Sequence, residues 1–181
     1  MVKVLLVRHL PVSVRWSRRC YGRSDAGLDR AAMLGCEALV RSLRAFEPDL
    51  IVSSPLRRAR WLAGHVARNS ATVLTIDTRL RELDFGTWEG RRWDDIWRET
   101  GAAMNGLIDD PSTFRPGGGE TTFDVRDRAM AVMPELAGRR RVLVVCHGGP
   151  IAAIRGTLGE LPVRDWPSLV PRTGEGVEID L

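Results

Sequence analysis

Two stretches of the chain decide the fold: residues 2–9 (VKVLLVRH) and residues 141–147 (RVLVVCH). Each is an apolar run of strand length that ends in a histidine, and such runs are typical of strands buried on both faces of a parallel sheet. Residues 49–54 (DLIVSS) and 72–77 (TVLTID) predict two further strands, and the alternating residues 176–181 (GVEIDL) predict an edge strand. The chain is therefore expected to fold around a sheet.

Helical patterns lie between these strands. Residues 27–46 have mostly helical apolar spacing, and Pro55 begins a helix that runs to about Arg68, since proline is favoured in a first turn. Further helices are expected over residues 121–136, capped by a threonine, and over residues 150–158. Strands that alternate with helices predict an α/β fold, with a parallel or mostly parallel sheet and helices on both faces.

Residues 86–119 do not follow this alternation. Trp93, Ile96 and Trp97 share one helix face, and the stretch ends in the turn-like residues 115–120 (RPGGGE). The latter lack the spacing and the lysine of a phosphate-binding P-loop, so they predict a turn and a helix start. We interpret residues 86–119 as a small helical insertion that forms a lid, because long insertions after strand ends lie where open α/β sheets bind ligands.

Composition limits the class of protein. The 181 residues predict one domain over residues 1–181, with 44% hydrophobic and 28% charged residues, which excludes disorder. No apolar run reaches the ~20 residues of a membrane span. Three cysteines without C-x-x-C spacing favour reduced thiols in the cytoplasm and no zinc site. The net charge is +4, and nearly all of the basic residues are arginines, which favours an anionic ligand or reflects a GC-rich genome. Charge alone does not distinguish a phosphorylated ligand from nucleic acid.

Several candidate functional residues follow the predicted strands. His9 and His147 end two strands, and if those strands are parallel neighbours both imidazoles lie at one edge of the sheet. Arg8 precedes His9, Glu82 follows the third strand as a candidate general acid or base, and three arginines follow the second strand at a helix start: Arg57, Arg58 and Arg60. Together they predict a site for a phosphate group, although each alone is consistent with a surface charge.

Other reactive residues are interpreted as structural. Cys146 is followed by eight residues before Arg155, which does not match the C-x5-R motif of cysteine-based phosphatases, so it is expected in the core. His65 is expected at or near the surface of a helix. Glu89, Asp94 and Asp95 are interpreted as charges that complement a helix dipole.

Four motifs, in order along the chain, resemble those of the histidine phosphatase, or phosphoglycerate mutase-like, superfamily. They are LLVRH at residues 5–9, SSPLRRA at 53–59, LRELDFGTWEG at 80–90 and VLVVCHGG at 142–149. The resemblance implies a three-layer α/β/α sandwich with a mixed sheet. It also implies a phosphomonoesterase without metal or other cofactor.

The resemblance assigns a role to each matching residue. His9 is the nucleophile that becomes phosphohistidine, Arg8 and Arg58 hold the phosphoryl group, His147 stabilises it, and Glu82 gives a proton to the leaving oxygen. A protonated His147 is expected to add positive charge beside the two arginines. Tyr21, Gly22, Gly148 and Trp88 are candidate substrate-binding residues.

One motif departs from the family pattern, and two others suggest a branch. The family's usual R-H-G-E-[ST] is R-H-L-P-V at residues 8–12. Residues 20–25 (CYGRSD) and 88–96 (WEGRRWDDI) are most similar to α-ribazole phosphatases, which remove the 5′-phosphate of an α-ribazole nucleotide in cobalamin assembly. A flat benzimidazole base would stack on Trp88 or Tyr21, whereas Trp93 and Trp97 are expected to pack the insertion onto the sheet.

Three alternatives remain open from the sequence: a mutase, which usually has a longer chain, a broad-specificity phosphatase, and a phosphate-binding domain without activity. The expected partner is a small phosphorylated metabolite, with neither nucleic acid nor membrane. The sequence leaves the oligomeric state undecided, and a homodimer is one of the alternatives.

Overall fold

A single mixed sheet organises the computed structural model, which describes residues 1–68, 70 and 72–181. Four parallel strands and one antiparallel edge strand lie in the order β3-β2-β4-β1-β5. The strands are β1 (Lys3–Arg8), β2 (Leu50–Ser53), β3 (Val73–Ile76), β4 (Arg141–Cys146) and β5 (Gly176–Asp180). This confirms the mostly parallel sheet and the antiparallel partner that makes it mixed.

Seven α-helices connect and cover the strands. They are α1 (Arg30–Leu34), α2 (Glu37–Ala45), α3 (Arg57–Ala67), α4 (Trp93–Thr100), α5 (Gly106–Asp109), α6 (Thr122–Met130) and α7 (Gly148–Leu158). The single helix expected over residues 27–46 is wrong: α1 ends at Leu34, because Gly35 follows it and has a low helix propensity, and α2 begins at Glu37. The helix expected over residues 121–136 also ends early, and a 3-10 turn at Met133–Leu136 contains Pro134, which cannot donate to an α-helical ladder.

The two faces of the sheet bury separate cores, which confirms the three-layer sandwich. On one face, α6 and α7 cover alternate strand residues such as Leu6 and Val144. On the other, α2 and α3 cover the intervening residues, such as Val7 and Val145. Since neighbouring residues of a strand point to opposite faces, each apolar run contributes to both cores. Cys146 is fully buried in the first of them, as expected.

The insertion, residues 86–119, consists of α4, α5 and three short 3-10 turns at Gly86–Trp88, Gly101–Asn105 and Pro116–Gly118. Its two ends meet through glycines. Gly86 has φ +53°, and a Cβ there would lie 2.1 Å from the Gly117 carbonyl oxygen, so only glycine fits. Thr121 then begins α6 with a reciprocal capping box to Asp124, as the threonine cap predicted. No helix in the described part of the chain is long and apolar enough to cross a membrane.

Candidate active site

Two histidines meet at the carboxyl edge of the sheet. His9 follows β1 and His147 follows β4, and because these strands pair in parallel the two ring centroids lie 5.1 Å apart. The backbone N–H of His9 donates to the Cys146 carbonyl at 3.1 Å, which extends the ladder by one residue. Both side chains are fully buried. The structure thus places both histidines at one edge of the sheet, as the sequence predicted.

Hydrogen bonds fix the tautomer of His9. Its Nδ1 lies 2.6 Å from the Leu10 carbonyl oxygen, which only accepts, so Nδ1 carries the proton. Its Nε2 accepts from Arg58 Nε at 3.2 Å. Burial, with the adjacent Arg58 guanidinium, lowers the pKa of His9 to about 3. The imidazole is therefore neutral near pH 7, and its Nε2 lone pair is directed at Arg58.

The same contact bears on the first residue of the departure from the family motif, Leu10. Leu10, where the family usually has glycine, contributes its carbonyl to His9, and any residue supplies that group. Its side chain is only 4% exposed and packs in the core beneath α2 and α3. The substitution therefore preserves the contact that orients the imidazole.

Arg58 is a fully buried cation. Its guanidinium donates to the carbonyls of Ser24 at 2.8 Å and Gly22 at 2.5 Å, in addition to His9, and lies 5.1 Å from the centre of the Tyr21 ring. Within the described residues no carboxylate forms an ion pair with it. Arg57 and Arg60, by contrast, are exposed. Arg58 is thus the one arginine of the three that reaches the histidines.

His147 is held by a serine. Its Nε2 lies 2.7 Å from Ser54 Oγ, and its Nδ1 is buried without a partner among the described residues. Burial, then Arg58 and His9, lower the pKa of His147 well below its usual 6.5. Without a ligand the ring of His147 therefore favours its neutral form, and the protonated His147 expected during phosphoryl transfer stays a prediction.

Arg8 and Glu82 complete the site. Arg8 donates from Nη1 to the Pro171 carbonyl at 3.0 Å, and its Nε is buried without a partner in the described chain. Glu82 Oε1 accepts from the backbone N–H groups of Gly149 at 3.0 Å and Leu83 at 3.1 Å. A Cβ at Gly149 would lie 2.5 Å from that oxygen, so glycine is required for the carboxylate to sit at the start of α7.

Arg8 and Glu82 line a cleft of about 330 Å³ between the sheet edge and the insertion, whereas His9, Arg58 and His147 are fully buried and are not among its lining residues. Its lining residues are Arg8, Arg19, Tyr21, Gly22, Glu82, Leu83, Phe85, Trp93, Leu107, Gly148, Gly149 and Val170. No group of three or more His, Cys, Asp or Glu side chains suited to a metal ion occurs among the residues that the structure describes.

Comparison with known proteins identifies the family. The model of the histidine phosphatase superfamily (branch 1) matches residues 4–180. The chain belongs to this superfamily. Glucosyl-3-phosphoglycerate phosphatase of Mycobacterium tuberculosis is 33% identical over 178 residues, covering 92% of this chain and 79% of the relative. The probable phosphoglycerate mutase GpmB of Salmonella paratyphi C is 32% identical over 165 residues, covering 90% and 77%.

Solved structures of histidine phosphatases share the whole fold. The mycobacterial glucosyl-3-phosphoglycerate phosphatase in complex with VO3 superimposes with a TM-score of 0.88 at 30% identity, covering 99% of this chain and 93% of that one. The α-ribazole phosphatase from Shigella flexneri has a TM-score of 0.86 at 22% identity, covering 99% and 91%, and shows the fold alone. Family membership, with relatives named as phosphatases, makes the chain a phosphoric monoester hydrolase.

Three tryptophans of this histidine phosphatase lie where the sequence did not predict them. Trp88 is 7% exposed and packs inside the insertion against Cys20 and Ile96, so its prediction as a stacking residue is wrong. Trp93 lines the cleft instead, edge-on to Phe85 with ring centroids 5.6 Å apart. Trp97, expected to pack against the sheet, is 62% exposed. Tyr21, Gly22 and Gly148 do line the cleft.

Three residues that position the groups of the site were not predicted from the sequence to do so. Ser54 lies within the matched motif at residues 53–59, which was a signal for it. Glu89 was interpreted as a helix charge, but its carboxylate accepts from the Arg23 N–H at 2.7 Å and from Ser24 Oγ at 2.5 Å. It thereby fixes the loop whose carbonyls hold Arg58. Arg128, on α6, donates to the Glu82 carbonyl at 3.1 Å, and no local sequence pattern indicates this contact.

The neutral histidines predict a pH dependence of stability. In the unfolded chain His9 takes up a proton at its usual pKa of 6.5, whereas in the folded protein it stays unprotonated down to about pH 3. Between these two values the unfolded state binds more protons, so the free energy of unfolding falls as the pH is lowered. The slope for one such histidine approaches about 1.4 kcal/mol per pH unit. Urea unfolding between about pH 7 and pH 5, where most carboxylates remain ionised, measures it.

Two matched variants show how much of this slope comes from His9. His9→Gln should flatten the slope by up to one histidine's contribution. His65→Gln, at a histidine stacked on Trp61 away from the site, should leave it as in the wild type. Equal slopes for His9→Gln and the wild type would show that folding does not lower the pKa of His9.

Proposed function

We propose that this chain is a phosphomonoesterase that transfers the phosphoryl group of a small metabolite to His9 and then to water. The observation that carries the proposal is the pairing of a neutral, oriented imidazole with a fully buried arginine that has no carboxylate partner in the described chain. A phosphoryl group is both the electrophile that Nε2 needs and the anion that Arg58 lacks.

The chemistry proceeds in two displacements. Nε2 of His9 attacks phosphorus while the ester P–O bond breaks, and the carboxyl group of Glu82 gives its proton to the departing oxygen. Water then attacks the phosphohistidine, Glu82 takes a proton from it, and the P–N bond breaks to release phosphate and restore neutral His9. One ester and one water thus give one alcohol and one phosphate.

Positive charge for the transition state comes from side chains already in place. Arg8 and Arg58 face the three equatorial oxygens of the phosphoryl group, and the unpartnered Nδ1 of His147 supplies a further donor. A bound dianion would raise the pKa of His147, so proton uptake by this ring is expected to accompany substrate binding. Two guanidinium groups provide the charge that metal ions provide in other phosphoryl-transfer enzymes, which supports a metal-independent reaction.

We expect phosphate to be trapped on His9. Rapid quench with a ³²P-labelled phosphate ester, in excess chelator, should give label on the protein that is labile to acid and stable to base. His9→Ala should remove the label, because it removes the attacking nitrogen, and His65→Ala should retain it. Label that survives in His9→Ala, or that appears only with added magnesium, would contradict the proposal.

Glu82→Gln is expected to separate substrates by leaving group. Alkyl phosphates need protonation of the departing oxygen, so kcat should fall by about 10²–10⁴. Nitrophenyl phosphate needs little protonation and should lose far less. Glu178→Gln, at an exposed carboxylate on β5, is the control and should affect neither substrate. Equal losses for both substrates would assign Glu82 a structural role.

For the substrate, we propose α-ribazole 5′-phosphate, supported by the matched segments at residues 20–25 and 88–96 and by the rings of Tyr21 and Trp93 in the cleft. The names of the relatives at 33% and 32% identity support a second candidate class, glucosyl-3-phosphoglycerate or 3-phosphoglycerate. Arg19 favours this class, because it also lines the cleft and would attract a carboxylate.

The values of kcat/KM for the three esters decide between these candidates. We expect α-ribazole 5′-phosphate to exceed 3-phosphoglycerate and glucosyl-3-phosphoglycerate by at least about tenfold, equivalent to about 1.4 kcal/mol of transition-state binding. Comparable values, or a preference for either glycerate ester, would overturn the substrate and leave the phosphohistidine chemistry intact. Formation of 2-phosphoglycerate from 3-phosphoglycerate would indicate a mutase.

A further inference from the structure

A second cavity of about 230 Å³ adjoins the cleft. It lies between the insertion, α6, α7 and the segment Val163–Leu169, and we call it the side pocket. Its lining residues are Leu83, Leu107, Ile108, Thr122, Val125, Gly149, Ala152, Ala153, Val163, Trp166, Pro167 and Val170. Leu83, Leu107, Gly149 and Val170 also line the cleft, so the two cavities meet along a common wall.

The side pocket offers almost no hydrogen bonds to an occupant. None of its lining residues is charged. Its two polar side chains already have partners in the protein: Thr122 Oγ1 donates to the Leu107 carbonyl at 2.6 Å, and Trp166 Nε1 donates to the Leu161 carbonyl at 3.0 Å. A sugar or carboxylate placed here would lose its hydrogen bonds to water without replacement, whereas an apolar group would gain burial.

Small residues create the space. Ala152 and Ala153 are the residues that α7 turns toward the side pocket, and Trp166 packs against Gly156 of the same helix. Larger side chains at the two alanines would fill the space. An apolar cavity of about 150 Å³ accommodates benzene, so about 230 Å³ is sufficient for an aromatic ring with a short linker.

The position of Glu82 indicates which part of a substrate reaches the side pocket. Its carboxylate accepts from the N–H groups of Leu83 and Gly149, and both residues line the side pocket. Glu82 is the proton donor to the leaving oxygen in the proposed function. The alcohol attached to that oxygen therefore lies on the side of the cleft that opens to the side pocket, away from the arginines that hold the phosphoryl group.

We infer that the side pocket binds an apolar group, an aromatic ring or a branched alkyl chain, carried by the alcohol part of the phosphomonoester. The inference rests on the proposed phosphatase function and adds the chemical class of the substrate. It makes the side pocket the specificity site of the enzyme, separate from the charged groups that bind the phosphoryl group.

Two esters that differ only in the apolar group provide the test: ethyl phosphate and 2-phenylethyl phosphate, both esters of primary alcohols. For the wild type, kcat/KM should be at least about tenfold higher for 2-phenylethyl phosphate, since each buried methylene contributes a factor of about four in binding. Val163→Phe, at the half-buried rim of the side pocket, should lower this ratio toward one by raising KM for the larger ester alone.

Val73→Phe is the matched control, because Val73 is 64% exposed on the edge strand β3, and its ratio should equal that of the wild type. Ala152→Leu fills the side pocket from α7 and should repeat the effect of Val163→Phe. If both variants fold poorly, judged by circular dichroism, the wild-type ratio decides alone.

A wild-type ratio near one, or equal losses on the two esters in a folded Val163→Phe, would overturn the inference while activity on ethyl phosphate upheld the phosphatase. A higher kcat/KM for glucosyl-3-phosphoglycerate than for 2-phenylethyl phosphate would also overturn it. No hydrolysis of any ester would instead refute the proposed function.

Discussion

The arrangement of this site depends on one buried cation. Removing the Arg58 guanidinium from water costs several kcal/mol unless its N–H groups are satisfied, and burial lowers its pKa from the usual value. Two carbonyls, from Gly22 and Ser24, and the ring of His9 provide the acceptors. All three are neutral, so they satisfy the N–H groups of Arg58 without forming an ion pair with it.

The loop that supplies these carbonyls is held closely in turn. A Cβ at Gly22 would lie 2.4 Å from Glu89 Oε1 and 2.6 Å from the Leu83 carbonyl oxygen, so only glycine lets the loop approach. Glu89 binds the next two residues of the loop, and Asp25 accepts from the first N–H of α3 at 2.7 Å. Residues 20–25 thereby connect the insertion to the helix that carries Arg58, which explains why a loop so far from His9 in sequence helps to build its environment.

The sequence patterns predicted the strands and the edge at which the two histidines meet, because both depend on residues close together in the sequence. Apolar runs gave the strands, and their parallel order brought His9 and His147 to one edge, because side chains that follow adjacent parallel strands emerge together. Arg58 could be chosen over Arg57 and Arg60 only through the family motif. The sequence could not show that Trp93, and not Trp88, lines the cleft. Both occur in one short aromatic segment, and only packing inside the insertion decides which ring faces the cleft. Glu89 and Arg128 act through backbone groups distant in sequence, which leave no periodic pattern.

The sheet and the insertion divide the work of recognition. His9 and His147 follow the paired strands β1 and β4, Arg58 lies in the first turn of α3, and Glu82 is bound by the N–H of Gly149 at the start of α7, so the elements that build the core also position these side chains. The side pocket, which we propose for the alcohol part of the substrate, is bounded in part by the insertion and by Val163–Leu169, and neither of these segments belongs to the sheet. Neither His9 nor Arg58 is among the residues that line the side pocket. A fold of this design can keep its phosphoryl chemistry constant while its choice of alcohol varies, and the four family motifs therefore indicate the reaction more strongly than the substrate.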